Sequence, residues 1–176
     1  NEIIENAAKE QEVVDVSPAK LNGKVHSATV VTDDRFGNCV NLDGVDDYIE
    51  LPTAAMSEKD EITISFWANG DKSLPKSNSI ISAEDKNSNR VLNIHLTWGD
   101  CQLHFDCGNQ AGSFDRISKI AEATDFKDKW TYWTFTKNIV TGEMNIYLNG
   151  SLWHSGTAKN KPLNPVTQAM FGCYID

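Results

Sequence analysis

Residues 90–108 have the sequence RVLNIHLTWGDCQLHFDCG, and this stretch decides the fold. Gly99-Asp100 suits a two-residue β-turn, so the stretch predicts a β-hairpin. The predicted register places apolar pairs on one face of the hairpin and polar pairs on the other. A shift by one residue would mix the two kinds of pair, so the register is well specified. The apolar pairs are Trp98–Cys101, Leu96–Leu103, Ile94–Phe105 and Leu92–Cys107, and the polar pairs are Thr97–Gln102, His95–His104 and Asn93–Asp106.

The rest of the chain repeats this pattern of short alternating runs between turns. Residues 61–69 place Ile62, Ile64 and Phe66 on one side of a strand and Trp67 on the other. Many short strands without a strong helix predict an all-β sandwich or barrel. Residues 1–14 are charged and are expected to form a lead-in segment, either frayed or a short helix. Strands are predicted near 25–31, 38–43, 47–51, 61–69, 78–83, 90–98, 101–107, 130–137, 143–149 and 166–172.

Composition narrows the classes of partner. The formal net charge is −9, and an acidic surface repels phosphate backbones and anionic lipid. Nucleic acid and membrane surfaces are therefore poor partners, whereas neutral ligands, cationic ligands and Ca²⁺ are favoured. No apolar run is long enough for membrane insertion.

The four cysteines, Cys39, Cys101, Cys107 and Cys173, contain no Cys-x-x-Cys pair, so their spacing gives no zinc or redox signal. A bridge from Cys101 to Cys107 conflicts with a strand between them, because such a strand spans about 20 Å and a disulfide needs Cα atoms within about 7 Å. Buried free thiols and disulfides otherwise both stay open.

Five motifs in order resemble the laminin-G-like, concanavalin A-like jelly-roll domains. They are DVSPAKLNG (15–23), FGNCVNLDGVDDYIEL (36–51), ITISFW (62–67), WTYWTFT (130–136) and GEMNIYLNG (142–150). The resemblance implies a two-sheet antiparallel jelly-roll sandwich over residues 15–176. It also implies an extracellular or cell-surface module, often part of a larger protein, that binds glycans or proteins and often carries a structural Ca²⁺. Such domains close with a further strand after Phe171-Gly172. The chain therefore either lacks its last strand or receives it from another strand or chain, and an open strand edge would invite a partner or a homo-oligomer.

The polar face of the central hairpin is the predicted ligand site. Asn93, His95, His104 and Asp106 offer donors and acceptors for sugar hydroxyls, and Trp67 offers a ring for a sugar face. Two other interpretations stay open. The groups form a polar network bonded within the protein under a covering loop, or the two histidines and Asp106 hold a metal ion.

A second candidate site is the acidic turn around Gly44. Asp43, Asp46 and Asp47 offer the hard oxygen ligands that Ca²⁺ prefers, although this is not an EF-hand loop. The alternative is an ordinary hairpin turn in which aspartates favour tight backbone geometry.

The sequence therefore predicts a non-catalytic carbohydrate-binding or adhesion module. The alternative is a protein–protein or self-assembly module that uses an open strand edge, and the minor alternative is a polysaccharide lyase or hydrolase. No Glu-x-Asp-x-x-Glu run or other catalytic motif is present. Trp98 is expected in the core, Trp153 is expected to be exposed, and Asp115 and Arg116 are expected in a loop, either at the mouth of a ligand site or as a surface ion pair.

Overall fold

Antiparallel β-strands make up nearly all of the regular structure. The structure is a computed structural model, and it describes residues 3–5, 11–56 and 59–175. None of the helices among these residues is long and apolar enough to cross a membrane. A 3₁₀ turn spans Thr53–Ala55 and a short helix, α1, spans Ala123–Phe126. The strands are β1 Ile3–Glu5, β2 Gln11–Val13, β3 Gly23–His26, β4 Thr29–Asp33, β5 Gly37–Asn41, β6 Tyr48–Glu50, β7 Glu61–Asn69, β8 Ile81–Glu84, β9 Arg90–His95, β10 Gln102–Gln110, β11 Ser113–Ile120, β12 Trp130–Asn138, β13 Glu143–Leu148, β14 Ser151–Gly156 and β15 Gln168–Phe171.

The strands form two facing sheets and a separate hairpin. The large sheet has nine strands in the order β1-β2-β3-β6-β15-β8-β9-β10-β11. The small sheet has four strands in the order β14-β13-β12-β7, and β4 pairs with β5 outside both sheets. The predicted all-β antiparallel sandwich is confirmed.

The core lies between the two sheets because the strands alternate strictly. β12 alternates half-buried and buried residues along its whole length, so every second side chain points inward. Burial of these large side chains contributes about 25 cal/mol per Å² of apolar surface and supplies the main favourable term in folding. The largest buried side chains include Trp133, Phe135, Met144 and Ile146 from the small sheet and Leu92, Ile94, Leu103 and Phe105 from the large sheet.

The predicted hairpin register is confirmed across β9 and β10. His95 lies opposite His104, and Asn93 lies opposite Asp106. The turn differs from the prediction, because Cys101 adopts a left-handed conformation at φ 65° and the Trp98 N–H donates to the Gln102 carbonyl. The loop is therefore one residue longer, and it carries Trp98 away from the core. Trp98 is 36% exposed and lies 4.4 Å from the His95 ring, which corrects its predicted place in the core.

Several strands fall outside the predicted ones. The lead-in residues include β1 and β2, and β2 pairs with β3 rather than forming a helix. The sequence predicts a loop at Asp115 and Arg116, whereas both residues lie on β11, with Asp115 on its inward face. The structure shows that this carboxylate is buried against the Lys137 ammonium, 2.8 Å away. An inward-facing charge is tolerated here because it is paired and hydrogen-bonded.

A bulge at Gly108 in β10 makes room for this buried pair. Gly108 has φ +83°, and a Cβ there would lie 2.2 Å from the Lys161 carbonyl oxygen and 2.6 Å from Lys137 Nζ. Lys137 Nζ donates to the Cys107 carbonyl at 2.6 Å. Only glycine fits both the conformation and the space.

Candidate functional site

The outer face of the large sheet gathers the predicted polar residues. β9 contributes Asn93 and His95, and β10 contributes His104 and Asp106. Cross-strand pairing places them side by side, as the sequence predicts, and the two imidazole rings lie 5.7 Å apart. The face is nevertheless covered, since His95 is 3% exposed and Asn93 and Asp106 are fully buried. Only His104 is half-buried.

Asp106 is held by two arginines from the flanking strands. Arg90 Nη1 lies 2.5 Å from one carboxylate oxygen, and Arg116 donates to both oxygens at 2.5 and 2.7 Å. The hydrogen bond with Asp106 raises the pKa of Arg116. Arg116 therefore pairs with Asp106, whereas Asp115 points inward, so the predicted surface ion pair between residues 115 and 116 is wrong.

Both imidazoles are bound within the protein. His95 Nδ1 lies 2.9 Å from the Asn78 carbonyl oxygen and 3.2 Å from Ser79 Oγ, and His104 Nδ1 lies 2.7 Å from Ser118 Oγ. Burial lowers the pKa of both rings, and the Arg116 charge lowers that of His104 further. The neutral rings therefore serve as hydrogen-bonding elements of the face near neutral pH.

Residues 172–175 cross the same face and cover it further. Ser82 Oγ donates to the Cys173 carbonyl at 2.9 Å, and the Tyr174 ring lies against the Arg90 guanidinium at 5.6 Å. Neither side-chain polar atom of Asn93 has a hydrogen-bond partner among the described residues. The prediction of an open ligand floor is corrected, because a ligand cannot reach Asn93, His95 or Asp106 in this conformation. Ligand binding by His104 stays a prediction.

Trp67 lies on the other sheet and not on this face. It sits on the outer side of β7 and is 40% exposed, and its ring packs against Tyr132 at 5.1 Å. Phe36, at the tip of the β4–β5 hairpin, lies 4.8 Å from Trp67, and the Arg35 guanidinium lies 5.2 Å from the Trp67 ring. We call Arg35, Phe36, Trp67 and Tyr132 the aromatic surface.

Small polar side chains continue the aromatic surface along the small sheet. On β7 the outward positions on either side of Trp67 hold Ser65 and Asn69, both exposed. Thr134 pairs across with Ser65 and is half-buried, facing outward. Flat apolar rings beside hydroxyl and amide groups are the combination that suits a sugar ring and its hydroxyls.

A groove of about 1280 Å³ runs beside the aromatic surface, between the β4–β5 hairpin and β7. Residues 38–42, in and just after β5, and residues 65–69 of β7 line the groove. Because these residues are consecutive, the groove contacts the edges of the two strands as well as their faces. Phe36 and Trp67 of the aromatic surface line it together with Leu42, Phe66 and Phe171.

The acidic turn brings its three carboxylates together. One ligand oxygen each from Asp43, Asp46 and Asp47 lies within 4.8 Å of the others. Two of these groups also stabilise the turn itself, since Asp43 accepts from the Val45 N–H and Asp47 accepts from the Asp43 N–H, both at 2.7 Å. Carboxylate oxygens at this spacing fit the donors that Ca²⁺ requires, and calcium binding here stays a prediction.

The environments of several other side chains differ from those predicted from the sequence. The pairing of Asp106 with Arg90 and Arg116 was not predicted, because the two arginines reach it from other positions of the sheet. Trp153 was expected to be exposed, yet it packs against Trp133 at 5.6 Å with the Lys119 ammonium 4.4 Å from its ring. None of the four cysteines takes part in a disulfide, and burial raises the pKa of Cys107 to about 12.

Comparison with known proteins yields one family and a set of similar structures. The family model described as the concanavalin A-like lectin/glucanases superfamily matches residues 43–173. No curated protein matches the sequence.

Solved structures with a similar fold include toxin binding domains. The botulinum neurotoxin serotype D ligand-binding domain in complex with N-acetylneuraminic acid has a TM-score of 0.74 at 20% identity over 99% of this chain and 43% of its own. The binding domain of Paraclostridial Mosquitocidal Protein 1 has a TM-score of 0.72 at 17% identity over 99% and 44%. The botulinum neurotoxin serotype G binding domain has a TM-score of 0.69 at 18% identity over 98% and 42%. The chain spans less than half the length of these structures.

Proposed function

The chain belongs to the concanavalin A-like lectin/glucanase superfamily, and from that premise we propose that it is a non-catalytic carbohydrate-binding module of a secreted or surface protein. The observation that carries the proposal is the aromatic surface, where the exposed ring of Trp67 stands beside hydroxyl and amide groups and lines a groove of about 1280 Å³. An exposed aromatic ring flanked by neutral hydrogen-bonding groups suits glycan recognition.

The ligand stacks on Trp67 and Tyr132 and extends along the groove. Ser65, Asn69 and Thr134 exchange hydrogen bonds with its hydroxyl groups, and Arg35 accommodates an acidic substituent at the rim. The similar structures support a binding role in general, since each is described as a binding domain. The one that holds N-acetylneuraminic acid makes a sialylated glycan a sensible probe.

Two of the buried carboxylates, Asp106 and Asp115, are unsuited to act as the acid of a glycosidase. Asp106 is paired with two arginines, and Asp115 accepts hydrogen bonds from Lys137 and Lys161. Burial raises the pKa of Asp115, but these hydrogen bonds lower it more, so its net pKa lies below the ordinary value. A glycosidase acid needs the opposite shift, because it must stay protonated near neutral pH.

The proposal is tested on an array of neutral and sialic acid-terminated oligosaccharides, followed by calorimetric titration of the best ligand. Trp67→Ala should weaken binding at least about tenfold, or 1.4 kcal/mol. Trp98→Ala is the matched control, because Trp98 is similarly exposed but lies in the loop between β9 and β10. Unchanged binding in Trp67→Ala together with a loss in His104→Ala would move the site to the large sheet, and a silent array would overturn the proposal.

The alternative from the sequence, assembly through an open strand edge, also has a structural observation in its favour. Among the described residues, β7 pairs only with β12 and β4 pairs only with β5. Both strands therefore present an open edge, and such edges accept partner strands.

A further inference from the structure

β4 belongs to neither of the two sheets, and its residues 29–32 face solvent. Its pairing with β5 is antiparallel, with Val31 opposite Cys39, and no other strand in the described ranges pairs with it. Thr29, Val30, Val31 and Thr32 are all exposed, with Val30 at 44% and Val31 at 45%. Alternate side chains point to opposite faces, so both faces of this strand and its outer edge meet solvent.

The edge of β4 lacks the features that normally protect such strands. Proteins usually place lysine, proline, a bulge or an inward charge on an exposed edge. β4 has none of these over residues 29–32, and its pairing with β5 runs without a register shift. Its β-branched residues favour an extended conformation, so its free backbone groups are already arranged to pair with another strand.

Charge and symmetry indicate which partner fits this edge. The whole chain carries a net charge of −9, so two copies repel each other over most of their surfaces. The segment Ala28–Thr32 carries no charge, so repulsion is least where two β4 strands meet. In a two-fold antiparallel pair, a residue must lie opposite its own copy, which puts the axis at Val30 or Val31. Either choice places β-branched side chains opposite one another at the centre.

We propose that a second copy of this chain docks on the open edge of β4, so that the two β4–β5 hairpins form one continuous four-stranded antiparallel sheet. This self-association does not require a bound glycan, since it uses residues 29–32 of β4, which are not part of the aromatic surface. Pairing over about five residues buries less than about 1,000 Å², which is small for a stable dimer, so the association is weak and reversible.

The experiment is analytical ultracentrifugation of the full chain up to roughly millimolar concentration, where an interface of this size is populated. The weight-average mass should rise towards twice that of the monomer. Val31→Lys should hold it near the monomer, because an edge lysine blocks strand pairing. Val45→Lys is the matched control, since Val45 is an 85% exposed valine in the turn between β5 and β6, outside β4.

Hydrogen exchange then locates the interface. The amides of residues 29–32 should exchange more slowly at high than at low protein concentration in the unmodified chain and in Val45→Lys, but not in Val31→Lys. A mass that stays monomeric across the range overturns the proposal. A mass that rises equally in Val31→Lys, or protection that appears elsewhere and not in β4, overturns it as well.

Discussion

Asp106 shows how single residues fix the outer face of the large sheet. It is fully buried and accepts hydrogen bonds from two guanidinium groups, whereas Asn93, directly opposite, is equally buried and has no partner among the described residues. A buried charge that loses its partner is costly, while removing an unpaired polar group is not. The two neighbours should therefore respond to substitution in opposite ways.

The first prediction compares Asp106→Asn with Asn93→Leu. The first change leaves Arg90 and Arg116 without a counter-charge and should lower the free energy of unfolding by about 3 kcal/mol. The second removes an amide that makes no hydrogen bond and should leave stability unchanged or raise it. Urea unfolding monitored by tryptophan fluorescence measures both. A loss in Asn93→Leu as large as that in Asp106→Asn would mean that the amide has a partner.

The second prediction concerns calcium at the acidic turn. Three carboxylates within 4.8 Å of one another repel, and a bound Ca²⁺ would relieve that repulsion. We expect added Ca²⁺ to raise the thermal unfolding midpoint, and Asp46→Asn to abolish the rise. Asp46 is the residue to change, because Asp43 and Asp47 also accept backbone hydrogen bonds that hold the turn. If added Ca²⁺ left the thermal unfolding midpoint unchanged, the acidic turn would have a purely structural role.

At the scale of elements, the β9–β10 hairpin shows what local sequence can and cannot predict. Its register followed from alternation within one stretch of chain, so the pairing of His95 with His104 was predictable. The burial of that face was not, because its cover comes from distant residues: Ser79 before β8, Arg116 and Ser118 on β11, and Tyr174 near the end. β11 itself was missed because the partner of Asp115, Lys137, lies on β12 in the other sheet.

The third prediction is a pH dependence that belongs to this hairpin. Arg90, Arg116, Asp106 and Asp100 face the two imidazoles, and Asp106 is already paired with both arginines. Burial lowers the pKa of both rings in the folded state, so below about pH 6.5 the unfolded chain binds protons that the folded chain does not. Their contribution to stability is present above that pH and is lost as pH falls through the lowered pKa values.

Urea unfolding at about pH 7.5 and about pH 5.5 measures this contribution. The unmodified chain should lose stability at the lower pH, and the double variant His95→Gln, His104→Gln should lose less. Comparing each protein with itself at the two pH values separates the titration from the cost of the substitutions. Equal losses in both proteins would assign the acid sensitivity to groups other than these two histidines.

At the scale of the whole molecule, the two sheets and the β4–β5 hairpin are held by different contacts. The sheets share one extensive core that includes Phe105, Trp133 and Phe135. The hairpin docks by its tip, where Trp130 Nε1 donates to Asp33 at 2.7 Å and Phe36 packs between two tryptophans, and by Val40 against a small second cluster. Because the hairpin is not part of either sheet, a groove remains between it and β7, and β4 is exposed.

The fourth prediction follows from this division and concerns native-state hydrogen exchange at low protein concentration. Local opening needs only the local contacts to break, so the amides of β4 and β5 should exchange with a free energy well below that of global unfolding. The amides of β9, β10 and β12 should exchange only with global unfolding, because their side chains fill the shared core. Phe36→Ala should speed exchange in the hairpin alone, since its ring holds the tip against Trp67 and Trp130. Exchange of the hairpin amides at the free energy of global unfolding would contradict this prediction and make the hairpin an integral part of the sandwich. The groove beside it would then have a fixed wall, instead of one that can move to admit a ligand.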